Sequence, residues 1–155
     1  MNKLITIEDF KDLKQQGVFT NKKIVFTNGC FDILHSGHVL YLEEAATLGD
    51  ILIIGLNSDN SVKRLKGSSR PINSETDRAI VLSGLSAVDY IIIFDDDTPY
   101  NLINTIIPNV LAKGGDWDIK NIVGSEIVLK NGGMVKSLLF RENQSTTNII
   151  NKIKS

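Results

Sequence analysis

His35 and His38 flank Ser36-Gly37, just before a helical pattern, Val39-Leu40-Tyr41-Leu42-Glu43-Glu44-Ala45-Ala46, and a few residues after an apolar run, Ile24-Val25-Phe26. Two imidazoles therefore stand at a helix entrance. The first backbone N–H groups there have no intrahelical acceptor and the positive end of the dipole faces outward, so the place favours an anion such as a phosphate. Imidazoles beside a bound phosphate point to phosphoryl chemistry. Gly37 leaves room for a phosphate to approach the helix amides, and Gly29 offers a positive φ where the strand ends. The single cysteine, Cys30, excludes an intrachain disulfide and a multi-cysteine metal site. Its place in this loop makes its backbone matter more than its sulfur.

Short Ile- and Val-rich runs must position this loop: residues 23–27, 51–56, 90–94, 110–112 and 134–140. Their continuous rather than alternating hydrophobicity describes strands buried on both faces, as in a parallel sheet with helices above and below. Helices are expected at 39–48, 74–85, 99–107, 125–131 and 146–154, with Ser74 as an N-cap, Pro99 in a first turn, and Gly49 and Gly132 at helix ends. A further helix over 7–16, capped by Thr6 and stopped by Gly17, packs against the outside. The fold class is α/β, a doubly wound five-stranded parallel sheet of order 3-2-1-4-5. Strands one and four then meet at the switch point, and the loop of His35 and His38 faces Lys113-Gly114-Gly115-Asp116-Trp117 across it. The 155 residues form one domain, with 1–20 as an N-terminal helical extension.

Composition narrows the partners. The net charge of −1 provides no basic field for nucleic acid. The apolar stretches are too short to cross a bilayer, and the opening Met1-Asn2-Lys3-Leu4-Ile5 lacks a signal-peptide core, so no membrane partner and a cytoplasmic location are expected. Neither G-x-G-x-x-G nor G-x-x-x-x-G-K-[ST] occurs, which disfavours an ordinary dinucleotide site and a P-loop.

Three further clusters suit a site for two phosphorylated substrates. Asn57-Ser58-Asp59 is followed by Lys63 to Pro71, whose four cations, breakers and lack of apolar periodicity describe a mobile loop; Lys66 and Arg70 are its phosphate-clamping candidates. Arg78, after Asp77, has two readings, a reach to phosphate or an ion pair with a neighbouring carboxylate. Ser145-Thr146-Thr147 opens the last helix, where spare hydroxyls and a second set of unpaired amides suit the β- and γ-phosphates of a nucleotide.

Asn28 to His38 resembles the G-x-F-D-x-x-H-x-G-H signature of the nucleotidyltransferase superfamily, which also carries an S-T-x-x-R or S-T-T element at the position of Ser145-Thr146-Thr147. No arginine follows that element here, so a cation for the triphosphate must come from elsewhere. With Arg64-Leu65-Lys66-Gly67, Arg70-Pro71-Ile72, Asp97-Thr98-Pro99, Lys113-Gly114-Gly115-Asp116 and Val123-Gly124, the likeness narrows to the heptose 1-phosphate adenylyltransferases, in a form without a sugar-kinase half. It departs at Asn143, where that family usually has glycine. The resemblance implies a Rossmann-like nucleotidyltransferase fold and transfer of AMP from ATP to D-glycero-β-D-manno-heptose 1-phosphate, for the lipopolysaccharide core. It implies His35 and His38 as catalytic residues, with rings able to be cationic near neutral pH. Cys30, Phe31, Gly37, Lys113, Gly114, Asp116, Ser145, Thr146 and Thr147 would bind the nucleotide. Asn57, Asp59, Lys66, Arg70 and Arg78 would bind the sugar phosphate. Mg²⁺ would arrive with ATP and keep mostly water ligands. A homodimer is compatible with the sequence. The competing readings are a cytidylyltransferase for glycerol 3-phosphate or a related alcohol phosphate, a flavin- or pantetheine-directed adenylyltransferase, and a non-catalytic module that senses ATP.

Overall fold

A computed structural model describes residues 2–139 and 145–155. Five parallel strands, β1 (Ile24–Gly29), β2 (Ile51–Asn57), β3 (Tyr90–Phe94), β4 (Val110–Gly114) and β5 (Met134–Leu138), form one sheet in the expected order 3-2-1-4-5. Phe140, expected at the end of β5, and Asn143 lie outside the described residues. The helices are α1 (Ile7–Gln15), α2 (Ser36–Ala46), α3 (Asp59–Lys66), α4 (Glu75–Ser83), α5 (Tyr100–Ile106), α6 (Ser125–Lys130) and α7 (Thr146–Lys154). No helix among the described residues is long and apolar enough to cross a membrane.

The sheet separates two apolar layers. Val25, Leu52, Ile54 and Leu56 pack with Leu42 of α2 and Leu82 of α4, whereas Phe26, Ile53 and Leu111 pack with Phe10 of α1, Ile103 of α5 and Val128 of α6. Both faces of β1 and β2 are therefore buried, which is why their sequences read as unbroken apolar runs.

Three local expectations are corrected. First, the loop expected over 63–71 is helical in its first part: α3 runs through Lys66, with Ser58 as its cap accepting from the Ser61 amide at 3.0 Å, and only 67–71 lie outside a helix. The only buried apolar side chain of α3 is Val62, too little to create a visible period. Second, α2 begins three residues earlier than expected, so His35 is the N-cap and His38 lies within the first turn. Third, the N-terminal segment is more than an outer layer. Phe10 is fully buried and stacks on Phe19 at 5.0 Å between centroids, and the Lys3 carbonyl and Ile5 amide pair with Ile91 beside β3.

The strand register creates a crevice. β1 pairs with β2 along its whole length, from Ile24 opposite Ile51 to Gly29 opposite Leu56. Against β4 it pairs only at Val25–Val110 and Phe26–Leu111, while β4 stays with β5 as far as Gly114–Leu138. Beyond Phe26 and Leu111 the two central strands part at their carboxyl ends, where open α/β sheets bind ligands.

Candidate active site

The turn leaving β1 is tightly built. Phe31 and Ile33 adopt φ values of +48° and +52°, a region costly for a branched or bulky residue. The expected positive φ at Gly29 is not seen. Glycine is needed there for space, because a Cβ would lie 2.9 Å from Cε2 of the buried Phe31 ring. Asp32 is the organiser. Its Oδ2 accepts from the Ile72 amide at 2.7 Å and Arg70 Nε at 3.1 Å, and its Oδ1 accepts from the Asn73 amide at 3.0 Å. Burial alone would raise this carboxyl, but the two amides and the guanidinium outweigh it and hold it below the usual carboxylate range. The Asp32 carbonyl accepts from the Thr146 hydroxyl at 2.6 Å, which docks the start of α7 onto the same loop.

The two imidazoles stack at 3.9 Å between centroids. Nδ1 of His35 accepts from the Gly37 amide at 3.1 Å, and Nδ1 of His38 accepts from the His35 amide at 3.2 Å. In each neutral ring the proton must then sit on Nε2, leaving that nitrogen as the donor. Burial lowers the pKa of His35, and burial, His35 and Lys66 push His38 down to about 4. With its pKa this far below the ordinary imidazole value, His38 is neutral at pH 7. The helix amides change role as well. The Gly37 amide is occupied by His35 Nδ1 and the His38 amide by the His35 carbonyl at 3.0 Å, so neither amide is free, and of the two rings only that of His38 lines a cleft described below.

Arg78 resolves toward structure. Its side chain is fully buried and donates to four acceptors: the carbonyls of Asn73 at 3.0 Å, Cys30 at 2.7 Å and Asn57 at 2.9 Å, and Asp59 Oδ1 at 2.8 Å. It ties the ends of β1 and β2 to the start of α3 and lines neither cleft described below. Asp59, engaged by Arg78 and a third exposed, also lines neither cleft. These two were expected to bind substrate; the geometry makes them positioning residues.

Two adjoining clefts open where β1 and β4 separate. The first, about 170 Å³, is lined by residues 28–32 with His38, Tyr41, Lys66, Arg70, Lys113, Gly114 and Thr146. The second, about 350 Å³, reaches Asn57, Leu65, Asp97, Thr98, Ile122 and Val123. They share Asn28, Gly29, Cys30, Lys66 and Lys113, so two lysines stand on the common wall. Desolvation lowers the pKa of Lys113, with Cys30 acting weakly against it, and its ammonium lies 5.5 Å from the Trp117 ring centroid. Arg70 lies on the first cleft, beside Thr146, and not on the second. Its Nη2 is buried without a hydrogen-bond partner among the described residues.

Not every expected residue converges. Asp116 and Thr147 are exposed and line neither cleft. Ser145 spends its hydroxyl on the Asn148 amide, the plain N-cap reading. Tyr41 was missed: it lines the first cleft, with its hydroxyl 2.7 Å from Thr27 Oγ1, and burial pushes its pKa up to about 12. Helical apolar spacing marked it only as core.

Residues 26–152 match the family described as cytidylyltransferase-like. The chain belongs to the cytidylyltransferase-like family. It is 58% identical to the bifunctional protein HldE of Campylobacter concisus (strain 13826) over 99% of this chain and 31% of that protein. It is 53% identical to HldE of Wolinella succinogenes over 98% of this chain. The chain thus spans about a third of the length of these curated relatives, 31% in each case. Among solved structures, the lipopolysaccharide core biosynthesis protein from Thermoplasma volcanium GSS1 superposes with a TM-score of 0.64 at 30% identity, covering 79% of this chain and 99% of that one.

Two expectations follow for this family member. Arg78→Met strands three carbonyls at the strand ends and unpairs the partly exposed Asp59 carboxylate, and should cost about 3 kcal/mol in urea unfolding, whereas Arg64→Met on the surface should change little. His38, neutral in the native state down to about pH 4, binds its proton near pH 6.5 when unfolded. The unfolded chain therefore takes up a proton first, and stability should fall as pH drops from 6.5 toward 4. His38→Gln should reduce the difference between urea midpoints at pH 7 and pH 5, and an NMR titration of the wild type should show the His38 ring uncharged at pH 5.

Proposed function

We propose that this protein transfers AMP from ATP to D-glycero-β-D-manno-heptose 1-phosphate in the cytoplasm, releasing pyrophosphate and forming ADP-heptose. The observation that carries the reading is the junction of two clefts at Lys66 and Lys113, with the stacked His35–His38 pair beside the first. An enzyme joining two phosphorylated substrates needs two seats and cations where their phosphates meet. The resemblance to heptose 1-phosphate adenylyltransferases names the substrates, and the likeness to the HldE proteins supports it.

In the reaction, a phosphate oxygen of the acceptor attacks the α-phosphorus, the bond to the β-phosphate's bridging oxygen breaks, and charge grows on the departing pyrophosphate. The protein's task is positioning and electrostatic stabilisation. His35 and His38 donate from Nε2 to triphosphate oxygens, and a polyanion beside the rings favours their protonation, offsetting the depressed resting values. Lys66 and Lys113 hold the phosphates at the shared wall. Arg70, preset by Asp32, sits on the nucleotide side instead of the sugar side and supplies the cation that the C-terminal Ser145-Thr146-Thr147 element lacks. Cys30, Phe31, Gly37, Gly114 and Thr146 line or shape the nucleotide cleft, and Asn57 faces the acceptor. Asp116 and Thr147 join only if nucleotide draws the segment after β4 and the start of α7 inward. No group of three or more His, Cys, Asp or Glu residues that could cage a metal exists among the described residues, and both Asp32 oxygens are already engaged. Magnesium carried in with ATP would be held chiefly by the phosphates and water and would supply charge neutralisation there.

Pyrophosphate release measured across ATP and CTP with heptose 1-phosphate and glycerol 3-phosphate tests the reading, which predicts turnover chiefly with ATP and the heptose phosphate. His35→Ala or His38→Ala should lower that turnover about a hundredfold; near-normal rates in both would remove the assignment. Lys66→Ala, at the shared wall, should raise the KM for the heptose phosphate. An unchanged KM would return Lys66 to a solvated surface role.

A further inference from the structure

The second cleft changes character along its length. At the wall shared with the nucleotide cleft it carries Lys66 and Lys113; away from that wall its lining turns to Leu65, Leu111, Ile122 and Val123 on the apolar side and Asn57, Asp97 and Thr98 on the polar side. Beyond the two lysines this lining contains no cation. Arg64, the cation nearest to Asp97, is spent on it, with Nε 2.8 Å from Oδ1. Two oxygens remain unclaimed among the described residues. Asp97 Oδ2 makes no hydrogen bond. Asn57, only 3% exposed, donates from Nδ2 to Ser61 Oγ at 3.0 Å while its Oδ1 receives nothing. A carboxylate and an amide oxygen on the cleft lining repel phosphate and accept from hydroxyl groups, while Ile122 and Val123 suit the C–H face of a ring.

We infer that this cleft seats the sugar of the acceptor, phosphate toward Lys66 and Lys113 and ring hydroxyls toward Asp97, and that Asp97 is the residue selecting a polyhydroxylated acceptor. The inference rests on the transferase reading above and adds the orientation of the acceptor and residues outside the Asn57–Asp59 and Lys63–Arg70 segments. A hydroxyl donating to a carboxylate is among the stronger neutral-to-charged hydrogen bonds, so its loss is readable as about tenfold or more in kcat/KM.

The test uses Asp97→Asn, whose side chain is 68% exposed in the wild type and so carries little of the fold, and Val123→Trp, which fills the cleft. Initial rates of pyrophosphate release with heptose 1-phosphate are measured alongside ATP binding by calorimetry. Both variants should lose about tenfold or more in kcat/KM for the heptose phosphate, while the Kd for ATP stays within twofold. Acceptor kinetics within twofold of wild type in both variants overturns the inference. So does an equal weakening of ATP binding, which would make the segment merely structural. Wild-type silence toward every sugar phosphate overturns the transferase reading and this inference together; wild-type turnover with unaltered variants sinks this inference alone.

Discussion

The buried carboxylate of Asp32 is the contact on which the site's architecture depends. With Ile72, Asn73 and Arg70 on its oxygens and Thr146 on its carbonyl, one residue in the turn after β1 gathers two distant segments of the chain. A buried charge is tolerable only when such donors replace water. The partners are therefore as constrained as the carboxylate itself. The loop from Gly67 to Asn73 owes its place to this anchor, and the first turn of α7 is held against the same turn.

Arg78 performs the complementary task with opposite charge. Its guanidinium collects carbonyls at the ends of β1 and β2, groups that lose strand partners just where the sheet opens, and balances its own charge with Asp59. The sheet can therefore end abruptly at a cavity without leaving those carbonyls unpaired. Arg70 and Arg78 look alike as basic residues after strand two, yet one keeps a buried nitrogen unpaired beside a cleft while the other is consumed by the backbone. The first keeps a donor unspent at the cleft, the second does not.

Function follows from the parting of β1 and β4. Because β1 leaves β4 after Phe26 while β4 continues with β5 to Gly114, the crevice has one wall from the His-bearing loop and another from the Lys113 strand. Burial keeps the His38 ring neutral in the resting state and lowers the pKa of Lys113. In the proposed reaction both groups would meet the phosphates with part of their desolvation already complete, as preorganised electrostatics requires.

The sheet, its strand order and the imidazoles at a helix entrance were legible in the sequence, because each rests on local signals: doubly buried apolar runs, glycine and hydroxyl punctuation, and the spacing Gly29 to His38. Helix α3 escaped notice since one buried valine leaves no period to read. Tertiary structure decided what local pattern cannot carry. Asp32 became an anchor and Arg78 a tie only when residues about forty positions apart met. Asp97 reached a cleft edge through the fold of β3 against β2, and Asp116 stayed outside. The physical reason is that a charged side chain's role is set by the donors and acceptors around it. Those neighbours come from chain crossings, which no sequence window contains.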